Sequence, residues 1–166
     1  MLQIYCGDGK GKTTAAIGQL VRMAGRGKTC VFFQFMKDGT SGEGQILKAL
    51  DQVTVVKGKD KVKFTFRMTE EEKKADAAFY EKTLLELSEM KADLFVLDEA
   101  VNAVRTGLLS EEALWDFLDK KTQAEVVLTG RGNIESLFAR ADYITEMKKV
   151  KHPFDRGLPA RSGIEY

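Results

Sequence analysis

Residues 6–14 read Cys-Gly-Asp-Gly-Lys-Gly-Lys-Thr-Thr, between an apolar run at 2–6 and a helical pattern. Glycines at 7, 9 and 11 let a backbone turn so that successive N–H groups face an anion, and the following helix adds the partial positive charge of its N-terminus. Gly11-Lys12-Thr13 matches the second half of the phosphate-loop pattern G-x-x-x-x-G-K-[ST]. The first glycine belongs at residue 6, where this chain has Cys6, with Gly7 one place later. In this reading Gly7, Asp8, Gly9, Lys10, Gly11, Lys12, Thr13 and Thr14 form a phosphate cradle. Lys12 brings a full charge, Lys10 a second cation, and Thr13 a hydroxyl for Mg²⁺. A glycine-rich turn that binds nothing is the alternative.

A second constellation follows another apolar run. Residues 94–98 are Leu-Phe-Val-Leu-Asp, the Walker B arrangement, in which a strand-end carboxylate sits beside the phosphate loop to hold Mg²⁺ directly or through water. Glu99, next to Asp98, fits three roles: a base that activates water, a metal ligand, or an acid that merely suits a helix N-terminus. Arg131 lies between two glycines after a third apolar run and could clamp a phosphate with its planar fork, or be a surface arginine in a turn.

Weaker signals lie elsewhere. Phe64 and Phe66 follow four lysines in seven residues; alternation on a strand would put both rings on one side, with core packing as the default, and on a loop near the site they could instead face a large flat ligand. The tail 148–166 is basic and carries His152, Pro153 and Phe154, too aromatic a set for a merely solvated segment. His152 lacks companions for a metal site.

These residues need a scaffold. Strands are expected at 2–6, 29–36, 53–56, 94–97, 124–128 and 143–147. Helices are expected at 13–26, 45–50, from Thr69 to about 92, at 100–105, after Ser110 and from Asn133 to Arg140. Thr69 ahead of three glutamates is an N-cap; Phe79, Leu84, Leu87 and Met90 are candidates for that helix's buried face. The alternation predicts an α/β fold, three-layered and P-loop NTPase-like, with a mostly parallel sheet covered by helices on both faces. Right-handed crossovers then bring residues 7–14, 37–44, 98–99 and 129–132 to one edge of the sheet.

The chain has 166 residues, the length of a single domain, with an irregular tail. Lys+Arg exceeds Asp+Glu by one, which argues against a nucleic-acid coat or a polybasic membrane binder. Cys6 and Cys30 are too few for a disulfide framework or zinc cluster and fit a reducing cytoplasm. No apolar run has the length of a membrane span, and no secretory signal is expected at the start.

The runs GDGKGKTTAA at 7–16, VLDEA at 96–100, LTGRG at 128–132 and VKHPFDRGLPARSGIEY at 150–166 resemble the P-loop-type ATP:corrinoid adenosyltransferases, in order over nearly the whole chain. That family's phosphate loop also lacks the first glycine. The resemblance implies transfer of the 5′-deoxyadenosyl group of ATP to the cobalt of a reduced cob(I) corrinoid, with triphosphate leaving. It implies that Gly7 to Thr14 and Arg131 bind the triphosphate, that Thr13 and Glu99 hold Mg²⁺ with Asp98 nearby, and that Lys12 and Glu99 are catalytic. It implies that Phe64 and Phe66, where the family has Phe-x-Trp, face the corrinoid. It further implies a homodimer and a reducing flavoprotein as electron source. Many members carry an N-terminal extension that covers a partner's site; here the sequence starts at the first strand, which implies a different corrinoid affinity or manner of dimerisation. A P-loop ATPase or small-molecule kinase using Glu99 as base, and a non-catalytic ATP-binding module, are the competing readings.

Overall fold

A computed structural model describes residues 1–39 and 41–165. Thr40, in the 37–44 loop, and Tyr166, which closes the tail motif, lie outside the described residues. Six strands form one sheet in the order β3-β2-β4-β5-β1-β6, and every pairing is parallel. They are β1 (Leu2–Cys6), β2 (Cys30–Gln34), β3 (Val53–Val55), β4 (Leu94–Asp98), β5 (Glu125–Thr129) and β6 (Tyr143–Glu146). The helices are α1 (Lys12–Ala24), α2 (Gly42–Leu47), α3 (Glu70–Glu89), α4 (Ala100–Arg105), α5 (Glu111–Lys120) and α6 (Glu135–Arg140).

Strand side chains alternate between two cores. In β4, Phe95 and Leu97 pack with Tyr80 and Leu84 of α3, Val101 of α4 and Phe117 of α5; Leu94 and Val96 pack with Ala16 and Leu20 of α1 and Leu47 of α2. A parallel strand covered on both faces must be apolar throughout, which is why β2 and β4 read as unbroken apolar runs until their last residue. This is the α/β fold with a parallel sheet that the sequence implies.

Local signals mostly hold. Thr69 caps α3 in a reciprocal box with Glu72, and the Ser110 hydroxyl accepts the Ala113 N–H at the start of α5. Asn133 does not cap α6: Ile134 occupies that position without a side-chain cap, because burying Ile134 in the core sets where the chain turns. In α3, Leu84 and Leu87 are buried as expected, but Tyr80 rather than Phe79 is the aromatic fully enclosed, and Met90 is only partly covered. Among the described residues no helix is long and apolar enough to cross a membrane.

One buried cation lies far from the strand ends that carry the motifs. Lys121, just after α5, donates to the Ser88 and Met90 carbonyls at the end of α3, with its ammonium 4.6 Å from the Phe95 ring centroid. Burial pushes its pKa below the ordinary 10.5. Lys121→Met strands both carbonyls and should cost about 2 kcal/mol in urea unfolding. The folded state releases this proton more readily than the unfolded chain, so near 10.5 the unfolded chain holds more protons and wild-type stability gains as pH rises. The gap between wild type and Lys121→Met should therefore widen as pH rises toward the ordinary lysine value of 10.5; a constant gap would show that Lys121 is not desolvated.

Candidate active site

The phosphate loop joins β1 to α1. β1 runs through Cys6 in ordinary extended geometry, and the left-handed turn begins only at Gly7, with φ +97°. This accounts for cysteine at the position of the missing glycine. A Cβ on Gly7 or Gly9 would stand 2.5 or 2.6 Å from the Met147 carbonyl oxygen, so both glycines admit the chain that follows β6. The Gly9 N–H donates to that oxygen at 2.6 Å, so Gly9 presents the cradle with its carbonyl rather than its amide. Gly11, at φ +112°, leads into α1.

Lys12 is buried, and its ammonium donates to the Gly9 carbonyl at 2.8 Å. Desolvation, then the Arg131 charge, hold its pKa below the ordinary lysine value, against the pull of Glu99, Asp8 and Asp98. A buried ammonium beside a guanidinium is a site prepared for an anion.

Asp98 is fully buried at the end of β4. Its Oδ1 accepts from Thr13 Oγ1 at 2.8 Å and Thr129 Oγ1 at 2.6 Å; its Oδ2 accepts from Gln34 Nε2 at 3.1 Å and Lys37 Nζ at 3.3 Å. One carboxylate thus ties together the ends of β2, β4 and β5 and the start of α1. Asp98 orients Thr13 and has no free lone pair aimed elsewhere.

Glu99 adopts φ +61°, a left-handed conformation costly for a side chain with a Cβ. It makes no cap for α4. Its N–H donates to Thr129 Oγ1 at 2.9 Å, and its carboxylate accepts from Asn102 Nδ2. Burial and the neighbouring Asp98 raise its pKa above the ordinary glutamate value.

Arg131 follows β5. Its N–H donates to Asn102 Oδ1 at 2.7 Å, and its carbonyl accepts from Arg105 at 2.8 Å. Gly130 and Gly132 flank it at φ +155° and +86°; a Cβ on either would meet Val101 or Arg105 at 2.6 or 2.5 Å. The Gly-Arg-Gly triplet is therefore a tightly fitted turn.

A cavity of about 760 Å³ opens over these strand ends, lined among others by Lys37, Phe64, Glu99, Arg131 and Glu165. Phe64 and Phe66 do not lie on a strand. Phe64 caps and Phe66 sits within a 3-10 turn (Thr65–Arg67), 69% and 77% exposed, with rings stacked at 5.5 Å and 20°. The loop alternative therefore holds, and the lysines ahead of it reach α3, Lys59 pairing with Asp76 and Lys63 with Glu72. Core packing is excluded for both rings.

Lys12, Thr13, Asp98, Glu99 and Arg131 converge. Asp8 is turned away: its carboxylate accepts the Lys149 N–H, which holds its pKa down. Lys10 and Thr14 are exposed on the outer side of the loop and helix. His152 serves locally, its Nδ1 accepting the Phe154 N–H. Lys37 and Thr129 fall in the 37–44 and 129–132 segments expected at this edge, though neither was given a role; Gln34 and Asn102 were not singled out, and for Gln34 the clue was its interruption of the apolar run of β2.

Comparison with known proteins identifies the family. A family model described as ATP:corrinoid adenosyltransferase BtuR/CobO/CobP matches residues 1–166. A corrinoid adenosyltransferase of Escherichia coli strain K12 is 32% identical over 170 residues, covering 98% of this chain and 84% of that protein. One from Pseudomonas aeruginosa is 33% identical over 173 residues, covering 100% and 83%. Corrinoid adenosyltransferase CobA of Salmonella typhimurium is 33% identical over 170 residues, covering 98% and 84%. With a full-length match on a parallel α/β sheet whose strand ends carry the phosphate loop and the acid pair, the chain belongs to the ATP:corrinoid adenosyltransferase family.

Proposed function

We propose that this protein transfers the 5′-deoxyadenosyl group of ATP to the cobalt of a cob(I) corrinoid in cobalamin biosynthesis or salvage. The observation that carries the reading is a single cavity with anion-binding groups at one side and an exposed aromatic, Phe64, at another. The corrinoid's cobalt is the nucleophile, so the protein need only orient, neutralise charge and exclude water. In this reading the loop from Gly7 to Thr14 wraps the triphosphate. Lys12 and Arg131 neutralise it, and the Phe64–Phe66 stack offers the corrinoid a flat apolar face.

The oxygen donors present suit Mg²⁺, a hard cation that commonly takes one or two protein oxygens and completes its shell with phosphate and water. Thr13 and Glu99 would hold it, with Asp98 fixing the Thr13 hydroxyl. Bound there, Mg²⁺ supplies further charge neutralisation to the triphosphate. Two free buried cysteines suit a cytoplasmic enzyme. On the family's pattern we take it as a homodimer supplied with electrons by a flavoprotein.

The test is incubation with Mg-ATP and chemically reduced corrinoid. A light-sensitive Co–C product and one triphosphate per turnover are expected; ADP and phosphate would instead mean an ATPase or kinase, and binding without turnover a carrier. Phe64→Ala/Phe66→Ala should raise the corrinoid KM at least about thirtyfold and leave the ATP KM unchanged, since stacked aromatic contact contributes about 1–3 kcal/mol per ring.

A further inference from the structure

We infer that Lys37 is a further catalytic residue, the cation that stabilises the departing triphosphate on the side of the cavity between the acid pair and the aromatics. The inference rests on the adenosyl-transfer reading and adds a residue to it.

The geometry around Lys37 is constructed rather than incidental. Among the described residues only Met36 and Glu99 have a positive φ without being glycine, +57° and +61°. Such strain concentrates where surrounding structure over-determines a functional position. Here the two strained residues flank one contact: Met36 precedes Lys37, Glu99 follows Asp98, and Lys37 Nζ lies 3.3 Å from Asp98 Oδ2. The Met36 turn is braced from behind. Its N–H donates to the Tyr80 hydroxyl at 3.0 Å, and Tyr80 is fixed against Phe35, Phe79 and Phe33. The reversed turn after β2 thus brings the Lys37 side chain back over the sheet edge.

Asp98 alone does not account for Lys37. That carboxylate already accepts from Thr13, Thr129 and Gln34. Lys37 keeps 35% of its side chain exposed and lines the cavity together with Glu99 and Arg131. Its ammonium therefore has donors left for an incoming anion.

In the transfer, the cobalt electron pair forms the Co–C5′ bond. The C5′–O5′ bond breaks, and its pair stays on the oxygen that leaves with the triphosphate. No proton need move. The negative charge gained by that oxygen calls for a fixed cation, and Lys37 supplies one.

Lys37→Met and Lys37→Arg are compared with wild type in two measurements. In adenosylation with saturating Mg-ATP and reduced corrinoid, Lys37→Met should lower kcat about 10- to 100-fold with the corrinoid KM within about twofold, and Lys37→Arg should recover most of the rate. In calorimetry with inorganic triphosphate and EDTA, Lys37→Met should weaken binding by a similar factor. A Lys37→Met rate within about threefold of wild type, full rescue by excess Mg²⁺, unchanged triphosphate binding, or a Lys37→Arg as slow as Lys37→Met would each overturn the assignment. Absence of a Co–C product from wild type would instead remove the parent reading.

Discussion

Replacing Lys12 by alanine is expected to lower adenosyl transfer about a thousandfold while the protein stays folded. The ammonium is buried, and its protein hydrogen bond runs to the carbonyl of Gly9, itself a buried residue of the loop. Desolvation lowers the Lys12 pKa, so the folded protein bears a cost for keeping this charge in place. Alanine relieves that cost but leaves the Gly9 carbonyl without this donor; the two effects offset, and the urea midpoint should barely fall. Turnover should collapse, because a polyanionic leaving group in a low-dielectric cleft loses its nearest full charge. Single-turnover rates with Mg-ATP and reduced corrinoid check the first expectation and urea melts the second. A Lys12→Ala enzyme at wild-type speed would place the nucleotide elsewhere.

Asp98→Asn should do the opposite to stability as well as removing activity. Four donors converge on this carboxylate: the hydroxyls of Thr13 and Thr129, the Gln34 amide and the Lys37 ammonium. An asparagine offers one acceptor oxygen and directs N–H groups at two of those donors. Breaking such a buried charged network costs about 3–5 kcal/mol. At about 2–4 °C per kcal/mol for a domain of this size, the melting midpoint should drop by roughly 10 °C. Turnover should fall at least about a hundredfold, since the Thr13 hydroxyl loses its orientation. An Asp98→Asn protein that melts with wild type would mean that the network is not closed as described.

Much of this was legible before any coordinates. Strands ending in Gly-rich or acidic sequence, alternating with helical periodicity, allowed only a parallel sheet with those endings on one edge. The Thr13, Thr129 and Lys37 contacts to Asp98 confirm that convergence. For Phe64 and Phe66 the core-packing default failed and the loop alternative held, because alternation cannot reveal whether a neighbouring element covers the rings. Asn133 was misread as a cap because propensity gave way to the burial of Ile134.

The order of residues alone determined the fold class, the phosphate loop and the Walker-type acid, because each is a local pattern of period, turn chemistry and charge. Tertiary structure decided the rest. It decided that Gly7 and Gly9 are glycines on account of Met147, about 140 positions away in the chain. It decided that Asp8 faces the tail, and that Lys37 reaches Asp98 across 61 positions of sequence. Those facts depend on which backbones pass within van der Waals reach after folding, and no window of neighbouring residues contains that information.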